Sequence, residues 1–365
     1  MCVNSLYSLK TRAFLTLSII LGSILLISIP NAGFSQTFIK FKHIGLEEGL
    51  SQVNVITIGQ DSRGFMWFGT REGLNRYDGY KFKVYKHDPQ DPSSISNNYI
   101  QKVYEDSKGN LWVGTIGGGL NLYNRAKDNF TAFKSDKKTE SSISSNYVNC
   151  IKEDKYGVLW VGTTEGLNTL NTETKKFTKY FNEKNNSASI SDNNISDFCE
   201  DVKGRFWIAT FHGGLNLYDR KSKSFKAYRH NDSDKKSIAS DHLWRVFSDS
   251  KQRLWVAHRG DGLDLFDPAK ETFEHFVHSD KNPNSLCNNT IISIADNEGK
   301  LWLGTENGGL SIFDYDKKLF TNFHRDDIDN TSLNDNSIHS LYRDKGGDMW
   351  LGTFNGGINV YNKKC

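Results

Sequence analysis

Seven carboxylates recur at one fixed distance from an aromatic ring, an arrangement that could hold a turn or serve acid–base chemistry. Asp61, Asp106, Asp154, Asp201, Asp249, Asp296 and Asp344 each precede a tryptophan by six residues. Those tryptophans are Trp67, Trp112, Trp160, Trp207, Trp255, Trp302 and Trp350. Three residues before each tryptophan stands Gly, with Gln252 the exception. Asp-x-x-Gly is turn chemistry: Asp bonds backbone two residues on, and Gly accepts positive φ. Seven equivalent carboxylates indicate seven equivalent turns and not one active site, so all seven are read as structural.

Residues that break the repeat are therefore the candidates for binding. In the fifth copy His258-Arg259-Gly260-Asp261 replaces Thr-x-x-Gly, and an extra Trp244 stands next to Arg245. Phe211, His212, Phe354 and Asn355 occupy the same loops in other copies. Arg71 and Arg259 could meet a carboxylate or sulfate. Aromatic faces beside planar polar groups suit a sugar ring. No unique acid–base constellation accompanies them. Cys150, Cys199, Cys287 and Cys365 lie 49, 88 and 78 residues apart without a Cys-x-x-Cys pair. That spacing does not suggest zinc, and no metal or cofactor is expected. Cys150 and Cys199 fall at similar places in neighbouring copies, so they either pair or are two buried free thiols.

The elements that position these residues follow from the periodicity. Successive tryptophans are separated by 45, 48, 47, 48, 47 and 48 residues. Leu-Trp-Val-Gly-Thr reads as a short buried strand whose small residue lets a neighbouring backbone approach. Gly-Gly makes a hairpin turn into Gly-Leu-Asn-Leu-Tyr. A strand of the form Phe-x-x-aromatic follows, as in Phe130/Phe133 and Phe225/Tyr228. A further strand precedes each Asp, with apolar residues such as Ile100 and Val103 but no strict alternation. That fits a sheet covered on both faces. Four strands, A to D, in a repeat of this length indicate propeller blades. The expected fold is an all-β, seven-bladed β-propeller over residues 36–365.

After Trp350 the chain ends too soon for a seventh Phe-x-x-aromatic strand. Phe38-Ile39-Lys40-Phe41 near the start supplies one. The first strand is expected to complete the last blade, closing the ring without an open edge. Strands B–C and D–A are joined on one face, which carries the candidate residues. Variable loops of this kind commonly carry function.

Residues 1–35 read as a secretory signal. Lys10 and Arg12 precede an uncharged apolar run from Ala13 to Ile29, and Gly33 and Ser35 supply the small residues at −3 and −1 of a cleavage point before Gln36. Uncleaved, the run could serve as a membrane anchor. The net charge of +3, from 46 basic and 43 acidic residues, gives no electrostatic case for nucleic acid. Export implies a periplasmic or secreted location.

The pattern Asp-x-x-Gly-x-Leu-Trp-x-Gly-Thr-x-x-Gly-Gly-Leu resembles the two-component regulator propeller repeat. So do Ile44-Gly45-Leu46-Glu47-Glu48-Gly49-Leu50-Ser51 and Gln60-Asp61-Ser62-Arg63-Gly64-Phe65-Met66-Trp67-Phe68-Gly69-Thr70. The resemblance covers residues 37 to 362. It implies a periplasmic sensor whose relatives carry two propellers, a small β-sandwich, a membrane helix and a cytoplasmic histidine kinase, and often answer to oligosaccharides. This chain has one propeller, no later apolar span and no kinase motif. It is expected to be a fragment of such a receptor or a free-standing propeller, with kinase activity belonging only to a longer relative. Expected partners are an oligosaccharide or other small ligand, and a second propeller or receptor subunit. The competing functions are a protein-interaction scaffold and a propeller glycosidase or lyase. The Asp turns resemble the Asp-box of sialidases, but that box is structural. A sialidase also needs an arginine cluster with a Tyr/Glu pair, and fold alone supplies no chemistry.

Overall fold

The computed structural model describes residues 39–363. The signal sequence read in residues 1–35 lies outside them. Among the described residues the chain forms seven four-stranded antiparallel sheets and no helix. In blade 2 strand A is Ile100–Glu105, B is Leu111–Thr115, C is Gly119–Asn124 and D is Asn129–Phe133. The other blades repeat this order. Each strand A packs against its neighbours on both sides, including Ile338–Arg343 of blade 7 against Val55–Gln60 of blade 1. The ring is thus closed, with the A strands around a central channel: a seven-bladed β-propeller.

The fixed spacing of Asp and Trp has a single cause. Asp61 Oδ1 accepts hydrogen bonds from the amides of Arg63 and Phe65, both at 3.0 Å. Its Oδ2 accepts the Trp67 Nε1–H at 3.0 Å. One carboxylate therefore caps the A–B turn and satisfies an indole that would otherwise be buried without a partner. The same bond occurs in blades 2, 3, 4, 5 and 7, at 2.7–3.0 Å. In blade 5, Gln252 takes glycine's place at φ 68.

Blade 6 departs from this scheme. Its turn is one residue shorter, so Asp296 pairs with Leu301 as Glu105 pairs with Leu111. Asp296 therefore does the work of Glu105. It accepts Ser250 Oγ of the preceding blade at 2.9 Å, as Glu105 accepts Ser62 Oγ. The expectation of seven identical Asp turns holds for six. Counting back from tryptophan cannot detect a residue lost from one turn and gained in a strand.

Strand B is buried along its length in every blade, Lys300 at the start of the sixth excepted. Its small residue is required sterically. A Cβ on Gly162 would lie 2.4 Å from Cys150 Sγ and 2.7 Å from Ile195 of the next blade. Cys150 and Cys199 are buried free thiols, not a disulfide. Burial pushes the Cys199 thiol up to about 12.

A second network pins the D–A loops. Asn121 in strand C accepts the Ser96 amide at 3.0 Å and donates to Ser96 Oγ at 2.8 Å. Asn75, Asn168 and Asn216 bond Ser51, Ser144 and Ser191 in the same way.

The N-terminal strand closes blade 7 as expected, but in another register. Strand D of blade 7 is Lys42–Ile44, paired with Ile358–Tyr361 so that Ile44 lies opposite Ile358. In blade 2 Phe133 lies opposite Leu120, so Ile44 takes the place of Phe133 and Phe41 that of Phe130. The Phe41 amide donates to Thr331 O at 2.8 Å, as Phe130 donates to Ser93 O. Phe38, half of the expected aromatic pair, lies outside the described residues.

Candidate functional site

The candidate residues lie on the face made by the B–C and D–A loops, and most gather into two clusters. Between blades 4 and 5, Phe211 meets Trp244 edge-on at 5.3 Å and His212 at 4.8 Å. The Arg259 guanidinium lies 5.1 Å from the Phe211 ring and 5.6 Å from Trp244. His212 is a further 5.2 Å from His242. Trp244 is half-buried, and its Nε1 is enclosed without a hydrogen-bond partner among the described residues.

Across blades 7, 1 and 2, Arg71 lies 5.4 Å from the Tyr99 ring and 5.6 Å from Phe354. Phe354 also packs on His339 at 5.3 Å. Asn355 is exposed beside it, its amide bound to Asp335 Oδ2 at 2.6 Å. The loops share one device, because the His212 amide binds Asp192 Oδ2 at 2.9 Å. Among the described residues neither Arg71 nor Arg259 has a carboxylate within 4 Å, so both guanidinium groups remain available above their rings.

His258 belongs to neither cluster. It is wholly buried, with Nε2 3.0 Å from Asp264 Oδ2 but off the axis of a hydrogen bond. Blade 5 has replaced the Thr–Asn–Ser network as a set. His258 stands for Thr115, Asp264 for Asn121 and Ala239 for Ser96. The Ala239 amide binds Asp264 Oδ2 at 2.9 Å, and His275 Nδ1 binds Oδ1 at 2.6 Å. Burial disfavours the Asp264 charge, but the two histidines and the Ala239 amide hold its carboxyl below the usual range. His258 is therefore a support beneath the loop that leads to Trp244.

Four residues that sequence reasoning missed line the channel below: Lys102, Asp197, Arg245 and His339. For the first three the signal available was a charge inside strand A, at the place where other blades carry Thr57, Cys150 or Ser340, whereas His339 precedes that place by one residue. His339 has its imidazole pulled down to about 4, first by burial and then by repulsion from Arg71 and Arg245, with Asp335 opposing weakly. The unfolded chain takes up this proton near pH 6.5, whereas the folded chain waits until about 4. Stability should fall as pH drops through that window. At about 1.4 kcal/mol per pH unit, and allowing for channel water, the loss is about 2 kcal/mol. Urea unfolding at pH 7 and pH 4.5 should show a smaller drop for His339→Gln than for the parent.

A family model for the two component regulator propeller matches residues 49–72, 94–117, 142–165, 189–212 and 332–355. Each match runs from a D–A loop through strands A and B. Blades 5 and 6 are not among them; these are the blade with the His–Asp exchange and the blade with the shorter turn. A stretch of 79 residues is 47% identical to histidine kinase P4 of Formosa agariphila, covering 22% of this chain and 6% of that protein. The extracellular domain of the putative hybrid two component system BT3049 from B. thetaiotaomicron superposes with a TM-score of 0.77 and 29% identity. That match covers 89% of this chain and 42% of the other. The corresponding domain of BT4673 gives 0.72 at 23% identity, covering 89% and 40%. Virginiamycin B lyase from Staphylococcus aureus, at 0.65 and 12% identity over 89% and 99%, shares the fold alone. The chain thus spans about two fifths of the extracellular domains it resembles. Among the described residues no helix is long and apolar enough to cross a membrane. Five of the seven blades thus carry the two component regulator propeller repeat, and the other two are built on the same four-stranded frame.

Proposed function

We propose that this chain is the ligand-sensing propeller of a two-component system, working in the periplasm or outside the cell. The loop face binds an oligosaccharide and performs no chemistry on it. The observation that carries this reading is the pair of clusters on blades 4–5 and 7–1–2. Each joins aromatic rings to a guanidinium that no carboxylate among the described residues neutralises. A sugar ring offers C–H faces to the aromatics and hydroxyl groups to planar donors, and pockets that recognise small ligands combine these features. The extracellular domains of hybrid two component systems support the sensing role. Kinase output belongs to a longer protein in which this propeller is one part, and a second propeller or receptor subunit is the partner proposed for it.

Titration calorimetry of the intact chain against oligosaccharides tests this. Trp244→Ala and Arg71→Ala should each weaken binding about tenfold, since each contact is worth roughly 1–2 kcal/mol. The glycan should be recovered unchanged. Turnover would favour an enzyme, and unchanged affinity in both variants would remove the loop-face site.

A further inference from the structure

The inner wall of the channel differs from blade to blade in a way the repeat does not require. Strand A carries a register shift in all seven blades. The residue after the shift pairs with the small residue of strand B. In four blades it is Thr57, Cys150, Ser293 or Ser340, and all four are buried. In blades 2, 4 and 5 it is Lys102, Asp197 and Arg245. These three line a cavity of about 410 Å³ together with Lys152 and Ser196.

Three cations face this cavity against one available carboxylate. Neither Lys102 nor Arg245 has an acidic partner within 4 Å among the described residues, and Arg245 Nη1 donates only to Trp244 O at 3.0 Å. The second carboxylate on the wall, Glu200, already accepts the Lys155 amide at 2.6 Å and Arg220 at 3.5 Å. Ser196 Oγ is buried without a partner among the described residues. Enclosure also pulls the Lys102 ammonium below its usual range, with Arg245 and Lys152 adding repulsion and Asp197 opposing. Cations held in a narrow low-dielectric space draw a counter-ion strongly.

We propose that the channel is an anion site, which receives the carboxylate or sulfate group of the glycan held by the loop clusters above it. This rests on the glycan reading of those clusters. It adds that the ligand is acidic and that Lys102 and Arg245 select it.

The test compares a neutral oligosaccharide with its uronate or sulfated counterpart by calorimetry, using the parent, Lys102→Met, Lys102→Gln and Arg245→Met. Inorganic sulfate alone serves as the free-anion probe, and thermal melting checks that each variant folds. The parent should bind the acidic form at least tenfold more tightly, with the advantage shrinking as salt is raised. The advantage should collapse in the channel variants while affinity for the neutral form holds. Equal binding of both forms by the parent overturns the inference. So does an acidic preference that survives in folded Lys102 and Arg245 variants, and in either case loss of neutral binding by Trp244→Ala leaves the loop-face reading intact. Stabilisation by sulfate with no binding of either glycan overturns both readings and leaves a site for free anions.

Discussion

Asp61→Ala should destabilise the protein by about 3–5 kcal/mol, a loss readable as a lower urea midpoint at unchanged slope. The carboxylate is wholly buried and also receives Arg125 of the next blade at 2.7 Å. Its removal leaves Arg125 Nη1, an indole N–H and two amides without their acceptor, while the rest of the guanidinium keeps Glu105 and the Gly109 carbonyl. The same substitution should cost much less elsewhere, although the sequence motif is the same. Asp344 keeps its tryptophan but is half-exposed, and no arginine is paired with it among the described residues. There the loss should be about 1–2 kcal/mol. Asp296 holds Ser250 and not Trp302, so Asp296→Ala should cost about 1 kcal/mol or less. A uniform loss at all three positions would contradict these assignments. Acid should act on the first in the same sense. Burial opposes the Asp61 charge, but Arg125 and Trp67 outweigh it and hold the carboxyl below its ordinary value. Its contribution is present above about pH 4 and disappears as pH falls through the lowered value.

Phe41→Ala should cost about 3–5 kcal/mol. Phe41 is 5% exposed, packs on Tyr361 at 6.5 Å and ties the last blade to Thr331 through its amide. Ile44→Asp, at 3% exposure in the strand that Phe41 leads into, should be at least as damaging, because it buries an unpaired charge where Phe133 lies in blade 2. Leu46, 59% exposed just beyond the strand, should tolerate alanine with little change. Guanidinium unfolding followed by tryptophan fluorescence measures all three. An innocuous Phe41 variant would mean that closure does not depend on this register.

The same residues show what the sequence revealed and what it hid. Repeat length, strand order and closure by the N-terminus follow from spacing, because each blade must rebuild the same turn and bury the same indole. The closing register did not follow. Phe38 and Phe41 match the aromatic pattern better than Phe41 and Ile44 do, yet the ladder asks only for an apolar side chain opposite Ile358. The Asn121 network was hidden in a segment that reads as an ordinary strand. Phe211, Trp244 and Arg259 were found as departures from the repeat, and they do lie together. His258 was a departure too, but it compensates for Asp264, and such a paired exchange is visible only when the two strands are aligned. Lys102 and Arg245 come from strands three blades apart, and no local pattern announces that one channel joins them.

A ring of seven equal walls would offer any molecule on its axis seven indistinguishable seats. At the residue after the register shift, charge falls in blades 2, 4 and 5, as Lys102, Asp197 and Arg245. The rotational degeneracy is gone, because the charged walls of the channel differ from one another and from the rest. A polymer whose two ends differ chemically therefore has one direction in which to lie across the mouth. The irregular blades give a nearly symmetric scaffold a sense of orientation.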